Sequence, residues 1–224
     1  MEYKNLHEWY IDSKEAIELQ KNLQKLLKFI PFEGKVNFVA GVDISFIGKL
    51  GLAVVVVIDK QFKIIEVAYF LGEVKMAYIP GLLAFREGPL FLEAWKKVKT
   101  NPEVVFFDGQ GIAHPRKLGI ASHMGLIIEK PTIGIAKSKL VGEYKEPFKK
   151  KGSFSHLIYN GEKIGIVYRS RDNVKPIFIS PGHLIDLQSS LKLTKMFIDK
   201  YRLPEPTRLA HIFSQKLKKE YLTS

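Results

Sequence analysis

Apolar positions along the chain change period several times, and each change predicts an element. From Ser13 onward, Ile17, Leu23 and Leu27 recur at helical spacing, which predicts an amphipathic helix capped at Ser13 and ended by Pro31 and Gly34. Val36 to Phe46 contains a strand leading into Asp43, Leu52 to Ile58 is a β-branched buried strand, and Phe62 to Val74 alternates loosely as a third. Gly48 and the short Asp59-Lys60-Gln61 link predict antiparallel neighbours. Pro80 to Lys99 has a helical pattern with Gly88-Pro89 inside it, a pair expected to kink or divide the helix.

The second half alternates helix and strand. Glu103 to Phe107 is a short buried strand, Leu118 to Glu129 a helix, and Thr132 to Ala136 another strand. Val141 to Gly152 is polar and is expected to be a loop, and Asn160-Gly161 between Phe154–Tyr159 and Ile164–Tyr168 marks a hairpin. Ile177 to Ser180 closes the strands, and two amphipathic helices follow around Leu184 to Lys200 and Glu205 to Leu222. Three strands in a meander followed by alternating helices and strands predict one α/β domain over residues 1–224 with a mixed central sheet.

Composition narrows the chemistry. The longest strong apolar run, Leu52 to Ile58, is far short of the roughly 18 residues of a membrane span, and the N-terminus carries charges where a secretory signal needs apolar residues. A cytoplasmic location without membrane contact is the expectation. There is no cysteine among the 224 residues, so thiol nucleophiles and zinc-thiolate sites are excluded, and a metal would need oxygen or imidazole ligands. Lys+Arg 35 against Asp+Glu 23 gives a net charge of +12, which favours a polyanionic partner, nucleic acid first, over a lysine-rich surface tuned for solubility or high temperature.

Two carboxylates stand out. Asp43 interrupts the apolar segment Phe-Val-Ala-Gly-Val-Asp-Ile-Ser-Phe on the face opposite Val42 and Ile44, where an ionised group is costly unless something positive compensates it. Asp108 ends the strand Val-Val-Phe-Phe, at the strand end where α/β sheets place ligands. If those strands are neighbours the pair can share a divalent cation; the alternative is that each caps a helix or turn. Glu87, beside Arg86, is either a third carboxylate of that site or half of a surface ion pair. His114, before Pro115, is a candidate proton carrier or an ordinary structural histidine, and Lys137 at a strand end is a candidate phosphate contact or a surface lysine. Tyr78-Ile79-Pro80-Gly81 is a turn with an apolar tip, which could wedge into a base stack or fold back on the core. Ser180-Pro181-Gly182-His183 is read as preceding a helix, with amides free for an anion or as a plain helix start.

Together these segments resemble the endonuclease V family. The likeness runs through Val-Ala-Gly-Val-Asp-Ile-Ser-Phe (39–46), Tyr-Ile-Pro-Gly-Leu-Leu-Ala-Phe-Arg-Glu-Gly-Pro (78–89), Asp-Gly-Gln-Gly-Ile-Ala-His-Pro-Arg (108–116), Gly-Ile-Ala-Lys-Ser (134–138), Ser-Pro-Gly-His (180–183) and Pro-Thr-Arg-Leu-Ala-His (206–211). The resemblance implies an RNase H-like α/β fold, a mixed central sheet with helices on both faces. It implies that Asp43 and Asp108 ligate Mg2+, for which Mn2+ can substitute, with Glu87 completing the acidic site and His114 and Lys137 in support. It also implies a DNA-binding wedge at Tyr78, Ile79, Pro80 and Gly81, followed by Arg86. Ala77 stands where the family commonly has proline, so a less rigid wedge is expected.

The implied activity is hydrolysis of the second phosphodiester 3′ to deoxyinosine by a metal-activated water, leaving 3′-hydroxyl and 5′-phosphate ends, with the base rotated into a pocket. The expected partner is DNA containing deoxyinosine or another deaminated base, bound by a monomer. An inosine-directed ribonuclease, single-stranded substrates, and a non-catalytic nucleic-acid-binding module on the same scaffold are the alternatives; retention of Asp43, Glu87 and Asp108 argues against the last.

Overall fold

The computed structural model describes residues 1–223. Eight strands form a single sheet: β1 (Phe38–Ile47), β2 (Leu50–Asp59), β3 (Ile64–Glu73), β4 (Val104–Asp108), β5 (Thr132–Ala136), β6 (Phe154–Tyr159), β7 (Glu162–Tyr168) and β8 (Ile177–His183). Their order is β3-β2-β1-β4-β5-β8-β7-β6. β1 runs parallel to β4, and β4 to β5, while every other pairing is antiparallel. The meander β1-β2-β3 and the hairpin β6-β7 thus flank a parallel centre, and the two acidic strand segments are direct neighbours, Val42 lying opposite Phe107.

Strand alternation divides the core into two layers. Val42, Val55, Val105 and Phe107 pack with Phe91, Trp95, Met124 and Ile127, from α2 (Leu83–Lys96) and α3 (Ile120–Ile128). Val39, Val54, Val56, Val104, Phe106 and Ile135 pack on the other face with Leu193, Phe197 and Ala210, under α4 (Leu187–Met196) and α5 (Glu205–Thr223). β2 is buried on both faces, which explains its unbroken run of branched residues. The result is the RNase H-like fold, a mixed sheet between two helical layers.

Several local expectations need correction. The cap of α1 (Ser13–Leu23) is Asp12, whose carboxylate accepts from Lys14 and Glu15 while the Glu15 side chain accepts from the Asp12 N–H, a capping box that Ser13 does not make. α2 is a single helix with Pro89 inside it rather than two pieces. Gly88 is packed against the Trp9 ring, where a Cβ would stand only 2.7 Å away. The segment 180–183 is the buried end of β8, which continues past Ser180; the following helix starts at Leu187 and is capped by Asp186. Its amides are therefore not a free helix start. At the β6-β7 hairpin Asn160 and Gly161 both have positive φ, the backbone that a two-residue primed turn needs.

Candidate active site

Asp43 sits in mid-strand on the α5 face of β1, as alternation predicts, and three contacts along that face bring α5 to it. Gly41 meets the Pro206 carbonyl so closely that a Cβ would stand 1.9 Å from the oxygen, so only glycine admits the start of α5 there. Two residues on, His211 Nδ1 lies 3.3 Å from Asp43 Oδ1. Two further on, the Ser214 hydroxyl donates to the Ser45 hydroxyl at 2.8 Å. The period of two along the strand is matched by His211 and Ser214 one helical turn apart.

Asp108 ends β4 on the same side. Asp43, Asp108 and His211 each offer a ligand atom, and these atoms all lie within 4.8 Å of one another. The other oxygen of Asp43, Oδ2, is buried and has no hydrogen-bond partner among the described residues. A carboxylate oxygen removed from water and left unpaired is costly, and a divalent cation would satisfy it. The donors are two carboxylates, which suit hard cations such as Mg2+ or Mn2+, plus one imidazole, a borderline ligand.

Lys137, at the end of β5, places its Nζ 2.5 Å from Asp108 Oδ2. Burial pushes the Asp108 carboxyl above its ordinary value, and the neighbouring Lys137 ammonium opposes that rise. Glu87 lies on α2, and its side of the site is the opposite helical layer. It is only 7% exposed, and burial, followed by the negative charge of Asp43, pushes its pKa up to about 8. The surface ion pair with Arg86 does not form: the Arg86 guanidinium donates to the Met76 carbonyl at 2.9 Å and stacks over Phe46. Glu87 falls outside the 4.8 Å cluster and acts on it through charge.

The 78–81 turn divides its side chains. Tyr78 points outward and is 66% exposed, whereas Ile79 packs with Leu82 and Phe85. Its closing carbonyl, Gly81 O, accepts from Arg116 Nη2 at 2.8 Å and lies 3.0 Å from His114 Nε2. His114 Nδ1 accepts the Arg116 backbone N–H at 3.2 Å, so Nε2 carries the proton. Burial and the Arg116 charge lower the His114 pKa to about 4. Both ring nitrogens are engaged in hydrogen bonds that tie His114 to the turn. Between this turn and Asp108 opens a cavity of about 330 Å³, lined by Leu83, Ala84, Ile120 and Leu140 together with Tyr78, Asp108 and Lys137.

His211 is the site residue that sequence reasoning passed over. The signal was available: it ends the peptide 206–211, and helical spacing sets it on one face with Thr207, Ala210 and Ser214, which are buried.

The family model for endonuclease V matches residues 18–212. The chain is 62% identical to endonuclease V of Thermosipho melanesiensis over 221 residues, 99% of this chain and 98% of that protein. Among solved structures it is similar to endonuclease V of Bacillus subtilis, with a TM-score of 0.95, 35% identity, and 100% and 99% of the two chains covered. It is also similar to endonuclease V of Ciona intestinalis in complex with a 24mer DNA containing an inosine followed by a ribo-adenosine. There the TM-score is 0.82, identity 28%, and coverage 93% and 98%.

Proposed function

The chain belongs to the endonuclease V family, and from that premise we propose that it is a repair nuclease that cuts the second phosphodiester 3′ to deoxyinosine in DNA, leaving 3′-hydroxyl and 5′-phosphate ends. The observation that carries this reading is the Asp43, Asp108 and His211 cluster beside a partly apolar cavity at one end of the sheet. Residues 1–224 act as one domain, as a monomer in the cytoplasm. Among the described residues no helix is long and apolar enough to cross a membrane.

Asp43 and Asp108 would hold Mg2+, or Mn2+ in its place, with Glu87 and His211 completing the acidic site. When bound, the cation lowers the pKa of a water and offsets charge developing on the phosphate. The chain's own groups do the rest. Lys137, on Asp108, presents an ammonium to a phosphate oxygen at the cavity mouth. Tyr78 separates the stack at the lesion, and the displaced base enters the cavity, whose volume is at the small end of ligand sites, roughly 300–1,000 Å³. His114 and Arg116 hold the Gly81 carbonyl, which keeps the tip rigid although Ala77 replaces a proline. Arg86 supports the same loop through Met76.

The test is a Mg2+-dependence assay on a duplex with one deoxyinosine, mapping the cut. A nick one bond past the lesion's own 3′ phosphodiester, absent in EDTA, is expected; metal-independent or lesion-independent cutting defeats the reading. A second reading, inosine-directed ribonuclease, is favoured by the ribo-adenosine in the DNA bound to the Ciona protein. Paired assays on inosine-bearing DNA and RNA separate the two by their relative rates.

A further inference from the structure

The end of the sheet that carries Asp108 carries more than the carboxylate site. β4 and β5 are parallel and end at Asp108 and Ala136, and Ala136 pairs with Phe178 near the start of antiparallel β8. Tyr168, ending β7, pairs with Ile177, and Phe154, starting β6, pairs with Tyr168. The loops 145–153 and 169–176 therefore stand in one row with Asp108 and Lys137. Arg202 ties the row together, donating to the Lys137 carbonyl at 2.8 Å, to Pro176 at 2.7 Å and to Lys175 at 2.9 Å.

The outer part of that row is shaped by a buried cation. Arg169 is 5% exposed, and its guanidinium donates to the carbonyls of Phe148 (3.1 Å), Pro147 (2.9 Å) and Val174, and to the Glu146 carboxylate (2.6 Å). Four of its five N–H donors go into holding two loops. What those loops hold out is Phe148, 86% exposed, among the exposed Lys145, Lys149, Lys150, Lys151, Arg171 and Lys175. None of these six cations makes an ion pair among the described residues. The acids between them are engaged: Glu146 by Arg169, and Asp172 by the Lys151 backbone N–H at 2.5 Å. An exposed aromatic ring on a braced loop with an excess of positive charge on both sides is the chemistry that grips a phosphate backbone and stacks on a sugar or base.

We infer that loops 145–153 and 169–176 form a second nucleic-acid contact, separate from the wedge and the carboxylates, that holds the flank of the bound duplex by its phosphates. β6 is four strands from β4 in the sheet, and at ~4.8 Å per strand the contact lies roughly 19 Å from Asp108. At ~3.4 Å of rise per base pair, that is about five to six base pairs from the cut. Only this register rests on the proposed nuclease reading; the contact itself does not. Placement in line with Asp108 and Lys137 favours nucleic acid over an anionic membrane.

The experiment is fluorescence anisotropy of the full chain on an undamaged duplex across a salt series, for the parent, for Lys149→Gln/Lys150→Gln/Lys151→Gln, and for Phe148→Ala. Each phosphate that is no longer neutralised flattens the log–log salt slope by about 0.9, so the triple variant should bind about 10-fold more weakly with a slope flatter by about two to three. Phe148→Ala should weaken binding and leave the slope unchanged, as a stacking interaction requires. On a deoxyinosine duplex in EDTA, the triple variant's deficit should vanish when one flank is trimmed to about three base pairs, inside the ~19 Å reach. Equal affinity and slope for variant and parent overturn the inference, as does a deficit that persists whichever flank is trimmed. Lysine-dependent capture by phosphatidylserine vesicles with no change on duplex overturns it as well. Because binding is read on undamaged DNA, a failure to nick would strike the proposed function and leave this second site standing.

Discussion

Glu87 gives the site a pH-dependent cost that metal should relieve. In the metal-free fold its carboxyl is buried against the charge of Asp43 and holds its proton up to about pH 8, whereas in the unfolded chain it ionises at 4.5. The folded state therefore binds the proton more tightly than the unfolded state, and the associated stability is fully present below pH 4.5. It is lost as pH rises through 8, at about 1.4 kcal/mol per pH unit, or roughly 5 kcal/mol across the window. Domains of this kind are stable by about 5–15 kcal/mol, so the loss is large. Glu87→Gln keeps the shape and removes the titration. Urea unfolding in EDTA from pH 5 to pH 9 should show the parent losing several kcal/mol relative to the variant, and Mg2+ should reduce that loss in the parent. Parallel stability curves for the two proteins would show that Glu87 ionises freely and would refute the buried-carboxylate argument.

Other substitutions separate the roles. Asp108→Asn should cut nicking of a deoxyinosine duplex by at least about 10²-fold while lesion binding in gel shift is retained, as expected when charge stabilisation is removed. His211→Ala should raise the Mg2+ concentration needed for half-maximal nicking by about 10- to 100-fold, since it touches Asp43 directly. Tyr78→Ala should lower the preference for inosine over undamaged duplex more than it lowers general DNA affinity, a ratio read by competition binding; an unchanged ratio removes the wedge.

Much of the fold was legible because its signals are local. Leu52 to Ile58, Asn160-Gly161 and the alternation around Asp43 each announce their element within a few residues, and each element appears in place. Signals that depend on a partner were misread. Ser180 looked like the end of a strand because Pro181 and Gly182 follow, yet β5 pairs with that segment as far as His183. The Gly88-Pro89 pair allows either a kink or a division of the helix, and α2 is not divided there. In the site, Asp43 and Asp108 were readable as carboxylates placed against the grain of apolar strands. His211 was not, because its meaning comes from the close approach of α5 to β1 at Gly41, which joins segments distant in sequence. For the same reason a surface ion pair with Arg86 stays open for Glu87 in the sequence, while the Arg86 guanidinium is committed to Met76 and Phe46.

Cutting by the proposed route depends on Asp43 and Asp108 binding one divalent ion between them. Electron paramagnetic resonance of Mn2+ titrated into the parent, Asp43→Asn and Asp108→Asn proteins measures that directly. Saturable binding in the parent, weakened at least about 10-fold by either substitution, is the predicted result; Mn2+ affinity that neither substitution changes would contradict it.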